Sequence, residues 1–190
     1  NGTYGVLQAL HLRRQTNAPS YTLNNWISNP EVSGGAILDL HVHDVDYAIC
    51  LLGRPRSVFA QGYERSGGCV DRVHAAWQYP GKAMVHVEGY WDAHPGFGFN
   101  MGFTAVFDKA TVVWDCKTGQ PLTLLTADKE PQTPEMPAGD GYYGEIEHLV
   151  SCIEKNVEPT VATARESRDA VAIALAEKQS ILTGKLVEIK

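Results

Sequence analysis

Between residues 56 and 119 the chain passes through "RSVFAQGYER", "VDRVHAAWQYP", "KAMVHVEGYWDA", "FNMGFTAVFD" and "ATVVWDCKTG" with almost nothing in between. Each segment is rich in β-branched and aromatic residues, and connections this short leave no room for crossover helices. Neighbouring strands are therefore expected to run antiparallel. Pro80-Gly81 and Asp108-Lys109 supply the turn residues between neighbours. An earlier strand is read in residues 4 to 14, "YGVLQALHLRR", followed by a long loop over 15 to 33 that carries Trp26. After the strand block, residues 127 to 140 read as a surface connection. Ile146, Leu149, Val150 and Ile153 then make one stripe of a helix that stops at Asn156. Thr163-Ala-Arg-Glu166 is a capping-box pattern opening a second helix that ends at Gly184, and "KLVEI" reads as a short closing strand. The order predicts a single α+β domain over residues 1–190, a mostly antiparallel open sheet with helices packed on one face.

The densest chemistry lies in "GGAILDLHVHDVDYAICLLG", residues 34 to 53. As a strand, it would project His41 and His43 to one side with Asp39 beside them, which suits a metal-dependent hydrolase. As a helix, it aligns Leu38, Val42, Val45, Ile49 and Leu52 in one apolar stripe, with Asp39, His43, Asp46 and Cys50 in a parallel row about 100° round the cylinder. Ser33 can cap its start and Gly53 can end it. A barrel hydrolase would also need ligands from later strands and a chain of about 250 residues. The helix accounts for more of the pattern. On it Asp39 and His43 are i,i+4 neighbours, so the carboxylate can orient the imidazole as a general acid/base. The same spacing also serves ordinary surface and helix-end pairs, and spacing alone does not choose between them. His41, off this row, reads as structural.

Composition narrows the partners. A net charge of -6, with scattered basic residues, argues against a nucleic-acid surface. The four cysteines, Cys50, Cys69, Cys116 and Cys152, lie far apart with no C-x-x-C spacing, which suits reduced thiols and a cytoplasmic setting. No apolar run approaches the length of a membrane span. The chain starts at Asn1 and moves at once into a strand, which reads as a piece of a longer protein.

Taken together, the Gly34-Gly35 pair, Asp39 and His43 four apart, Asp46, and Leu51-Leu52-Gly53 before a strand resemble the opening of the C-terminal domain in Gfo/Idh/MocA oxidoreductases. "HPGFGFNMGFTAVFDKATVVWD" resembles that family's later strands. "YYGEIEHLVSCIEKN" and "ATARESRDAVAIALAEKQSILTGKLVEI" resemble its closing helices and strand. The resemblance implies a substrate-binding and oligomerisation half, with NAD or NADP held mainly by an N-terminal Rossmann domain absent from this chain. It implies His43 as the acid/base toward a sugar or polyol hydroxyl and Asp39 as the group that orients His43 or binds substrate. It also implies a homodimer, or a tetramer of such dimers, paired through the sheet. The strands offer that second face apolar and aromatic material: Phe59 or Ala60, Val73 or His74, Val85 or His86, Phe103 or Thr104, depending on register.

One partial match to a dinucleotide fingerprint is Gly96-Phe-Gly98-Phe-Asn-Met-Gly102. Its third glycine is one place late and "FTAVFD" continues as strand, so we read sheet and hairpin glycines instead. Arg14, ending the first strand, and Trp91, at a strand end beside a turn, are candidate substrate contacts, although strand-end solvation and sheet packing explain them as well. Two other functions compete: a non-catalytic binding or assembly module with this fold, and the metal-dependent hydrolase.

Overall fold

Alternating apolar residues build the sheet. The computed structural model describes residues 2–64, 68–81, 83–136 and 139–190. In chain order the elements are β1 (Leu7–Asn17), a 3-10 turn (Leu23–Ser28), α1 (Pro30–Ser33), a π turn (Ile37–His41) and α2 (Val42–Leu52). Then come β2 (Ser57–Glu64), β3 (Val70–Gln78), β4 (Met84–Ala93), β5 (Asn100–Phe107) and β6 (Thr111–Asp115). The chain closes with β7 (Thr123–Thr126), β8 (Lys129–Gln132), α3 (Gly141–Lys155), α4 (Ala164–Thr183) and β9 (Val187–Glu188). Arg65, Lys82, Pro137 and Ala138, which fall in segments read above, lie outside the described residues.

One sheet runs β8-β7-β6-β5-β1-β4-β3-β2-β9. Only β1 and β4 pair parallel among the described strands; all other neighbours are antiparallel. That parallel pair requires a long crossover, and the chain between the two strands supplies it with the 3-10 turn, α2, β2 and β3. The inward face carries Leu10, Leu12, Val58, Ala60, Val73, Ala75, Trp77, Val85, Val87 and Ala105. Against it pack Ile37 of the π turn, Val45, Ala48 and Ile49 of α2, and Ala170, Ile173 and Ala174 of α4. Leu38, Val42 and Leu52 flank this core half-buried, so the stripe read in the sequence is the one that docks.

The ends of the elements follow their residues. Gly53 stops α2 with its N–H 2.7 Å from the Ile49 carbonyl and a φ of 72°. Thr163 caps α4 through both arms of the capping box, and Gly184 ends that helix. Asp140 caps α3, which Asn156 ends in the left-handed region. Asp108 closes the β5–β6 turn by accepting from the Val6 N–H at 2.7 Å and the Gln8 amide at 2.7 Å.

Four expectations need correction. Ser33 ends α1 rather than capping the long helix, because Gly34 and Gly35 both turn left-handed after it. The helix itself begins with a π turn, which no periodicity over so few residues reveals. Residues 15–33 are not one loop: they hold the end of β1, the 3-10 turn and α1. Within 127–140 lies β8, which pairs back on β7 through Leu124↔Gln132 and Thr126↔Lys129. It is exposed throughout, so no burial pattern marks it.

The register also settles the second face of the sheet. Directly paired residues share a face. Phe59, Ala76, His86, His11 and Thr104 follow one another across β2, β3, β4, β1 and β5. The candidates on the open face are therefore Phe59, His74, His86 and Thr104, while Ala60, Val73, Val85 and Phe103 point inward. Together with Glu88, Arg13 and Arg72, this makes the open face mainly polar, not the apolar surface read from composition. One apolar stripe left uncovered is that of α3, where Ile146, Leu149, Val150 and Ile153 are all exposed.

Candidate functional site

A cleft of about 990 Å³ opens on the helix side of the sheet, between α2, the inward faces of β1, β5 and β6, and the start of α3. His43 is exposed at its wall, on the first turn of α2. Tyr47, one turn further along the same helix, continues the wall, and its ring centroid lies 6.3 Å from that of Phe103. Phe103 in turn lies 6.4 Å from Trp114 of β6, so one helix and two strands contribute one aromatic row. Tyr142 of α3 stands across the opening.

His43 lies among carboxylates. Burial pushes the Asp39 carboxyl above its ordinary value, and His43 pulls it back. Burial also raises Asp46, helped by the like charge of Glu166 and opposed by His43. Asp46 and Glu166 line the cleft with His43; Asp39 does not, and acts on the imidazole from the π turn behind it. Asp39 and His43 therefore influence each other through charge, without a hydrogen bond or close ion pair between them. A half-buried carboxylate beside an exposed imidazole is an arrangement that can hold or move a proton.

Arg14 also reaches the cleft, but its guanidinium is already engaged. Nη2 donates to Asp44 Oδ1 at 2.9 Å and Nη1 lies 3.4 Å from the Met101 sulfur. This ion pair ties β1 to α2, so Arg14 fixes the helix that bears His43 as much as it faces the cavity. Trp91 is not brought to this cleft. It is buried with Ile27, Ala36 and Leu40 in a small separate core, and its indole N–H donates to Asp71. His41, two residues before His43, turns the other way and is fully buried against Glu177.

The sequence reading missed Asp44, Tyr47, Trp114 and Glu166. Tyr47 was accessible to it, being four residues after His43 on one helix face. Trp114 and Glu166 come from elements whose approach only the tertiary fold determines. Among the described residues, no three His, Cys, Asp or Glu side chains are grouped to hold a metal ion. No helix among them is long and apolar enough to cross a membrane. The glycines of 96–102 make no phosphate cradle: Gly96 and Gly98 sit in the turn before β5. Gly102 lies within that strand, where a Cβ would come within 2.5 Å of the Trp114 carbonyl oxygen.

Residues 1–113 match the model of the GFO/IDH/MocA C-terminal domain, and the chain belongs to that family. Solved structures share the fold over its whole length. Levoglucosan dehydrogenase in complex with NADH and levoglucosan superposes with a TM-score of 0.82 at 17% identity, covering 99% of this chain and 60% of that one. Aldose-aldose oxidoreductase from Caulobacter crescentus, complexed with glycerol, gives 0.83 at 18% identity, covering 99% and 57%. The WlbA dehydrogenase from Bordetella pertussis, in complex with NADH and UDP-GlcNAcA, gives 0.76 at 19% identity, covering 100% and 58%. This chain thus spans less than two thirds of each of these proteins. No curated protein sequence matches it.

Proposed function

We propose that this chain is the substrate-binding and catalytic half of an oxidoreductase that transfers hydride between a sugar or polyol hydroxyl carbon and a nicotinamide cofactor. The observation that carries the reading is His43, exposed on an aromatic-lined cleft with Asp39 behind it and Asp46 beside it. When bound, NAD or NADP would accept the hydride; by the family resemblance its main seat would be an N-terminal Rossmann domain. The chain's own residues handle the proton. The imidazole of His43 takes it from the substrate hydroxyl, and Asp39 stabilises the resulting imidazolium. Tyr47, Phe103 and Trp114 present ring faces against which the C–H surface of a sugar can lie, while the Arg14–Asp44 pair keeps β1 and α2 in register. The open sheet face then serves a second copy, in a homodimer or a tetramer of dimers. An exposed imidazole flanked by the Asp46 and Glu166 carboxylates at an open cleft favours this over a non-catalytic assembly module.

The test is substitution in the full-length protein that carries this chain, screened with both dinucleotides against sugars and polyols. His43→Ala is expected to lower kcat by about a hundredfold or more, and Asp39→Asn by less. Full activity of His43→Ala across the pH range refutes the assignment.

A further inference from the structure

His41 plays no part in the chemistry proposed above, yet it is completely buried, as is Glu177 opposite it. Ionisable groups at such depth are costly unless their partners are well placed, and breaking one side of such a pair costs far more than replacing both. Here both carboxylate oxygens of Glu177 are held. Oε2 lies 2.7 Å from His41 Nε2, and Oε1 accepts the Trp77 indole N–H at 2.6 Å. The other side of the His41 ring rests on β4 at Gly89, where a Cβ would meet His41 Cβ and Nδ1 at 2.7 Å. Glu177 comes from the middle of α4, Trp77 from β3 and His41 from the π turn, so one carboxylate ties three elements that are distant in sequence.

The element tied is the unusual one. A π turn carries a residue more than the α turn it replaces and is rare, occurring mostly as single bulges at functional sites. Expelling that residue would turn the preceding segment about 100° around the helix axis. Asp39 lies inside this turn and His43 just past its end. We infer that His41, Glu177 and Trp77 form a positioning clamp that holds the π turn and so fixes where Asp39 stands relative to His43. None of the three lines the cleft; they act through Asp39 and do not touch substrate. The catalytic consequence rests on the role proposed for His43, whereas the structural claim does not.

The clamp is tested in the full chain by following the Asp39 carboxyl carbon through a pH titration by NMR, with chemical denaturation in parallel. His41→Leu removes the donor to Glu177 and keeps bulk; His41→Gln restores a side-chain N–H. With the turn released, Asp39 loses its burial, so its midpoint falls toward the ordinary carboxylate value in His41→Leu and stays raised in His41→Gln. Trp77→Phe, which keeps an aromatic ring and loses the N–H, gives a smaller fall in the same direction and serves if His41→Leu does not fold. A pair that merely filled space would lower stability and leave the Asp39 midpoint unmoved, and that result overturns the inference. In the full-length enzyme, His41→Leu is expected to lose about tenfold or more in kcat with little change in KM, as misplacement of a catalytic group does. Should His43→Ala prove fully active, the functional reading fails while the Asp39 titration still decides the clamp.

Discussion

The sharpest perturbation available is one methyl group at Gly89. This residue sits in β4 between Val73 of β3 and Arg14 of β1, on the inward face of the sheet. A Cβ built there would lie 2.7 Å from both Cβ and Nδ1 of His41, against an ordinary carbon contact of about 3.5–4.0 Å. His41 cannot slide away cheaply, since Nε2 is held 2.7 Å from Glu177 and neither side chain is exposed. Either the π turn lifts from the sheet or β4 bows. Overpacking of this kind costs about 1–3 kcal/mol, offset by about 0.5–1 kcal/mol because alanine is entropically better than glycine within a strand. Two contacts at 2.7 Å put the overpacking in the upper half of its range, so the net loss for Gly89→Ala is roughly 1–2.5 kcal/mol, and a domain of this size loses about 2–4 °C of Tm per kcal/mol. Thermal and urea unfolding of the full chain measure it. In a His41→Gly background, which also removes the Cβ that the new methyl would meet, the added methyl enters vacated space, so the cost of Gly89→Ala should nearly vanish, a coupling that a double-mutant cycle reads directly. An unaltered Tm in Gly89→Ala, or an equal cost in both backgrounds, refutes the account.

Glu88 links stability to acid. Burial raises its carboxyl, but His11 3.4 Å away, the Gln15 amide donating at 2.7 Å and the nearby His74 outweigh this and bring it from 4.5 down to about 2. A depressed folded pKa stabilises above the unfolded value and is lost as pH falls from about 4.5 through about 2. Glu88→Gln should therefore cost about 1–2 kcal/mol near pH 7 after allowance for solvent screening, with the difference closing toward pH 2; a pH-independent difference in denaturation midpoint would contradict this. The chain alone should show no measurable binding of NAD(H) or NADP(H), because the Gly139, Gly141 and Gly144 run that opens α3 lacks the strand directly before it that a dinucleotide site needs, β8 having ended at Gln132; micromolar affinity by calorimetry would contradict it. In solution it should pair through the open sheet face, and sedimentation showing only monomer at tens of micromolar would count against that.

Local signals carried a large part of this protein. The strand block, the capping box at Thr163–Glu166, the stops at Gly53, Asn156 and Gly184, and the apolar stripe from Leu38 to Leu52 are all nearest-neighbour or one-turn patterns, and each appears where its residues place it. Asp39 and His43 were legible for the same reason: both lie within about one turn of a single helix. The tertiary structure decided what depends on register and on contacts between distant segments. A one-residue slip in pairing exchanges the two faces of a strand, so composition could not tell Val85 from His86, and the open face proved polar. Trp91 had the residue type of a substrate platform but was drawn into a separate core by Ile27 and Leu40. Arg14 was already spoken for by Asp44, from a helix thirty positions away in the chain. The π turn is held by Glu177, 136 residues beyond His41, and its stabilisation comes from burying a carboxylate between two donors that only the folded sheet brings together.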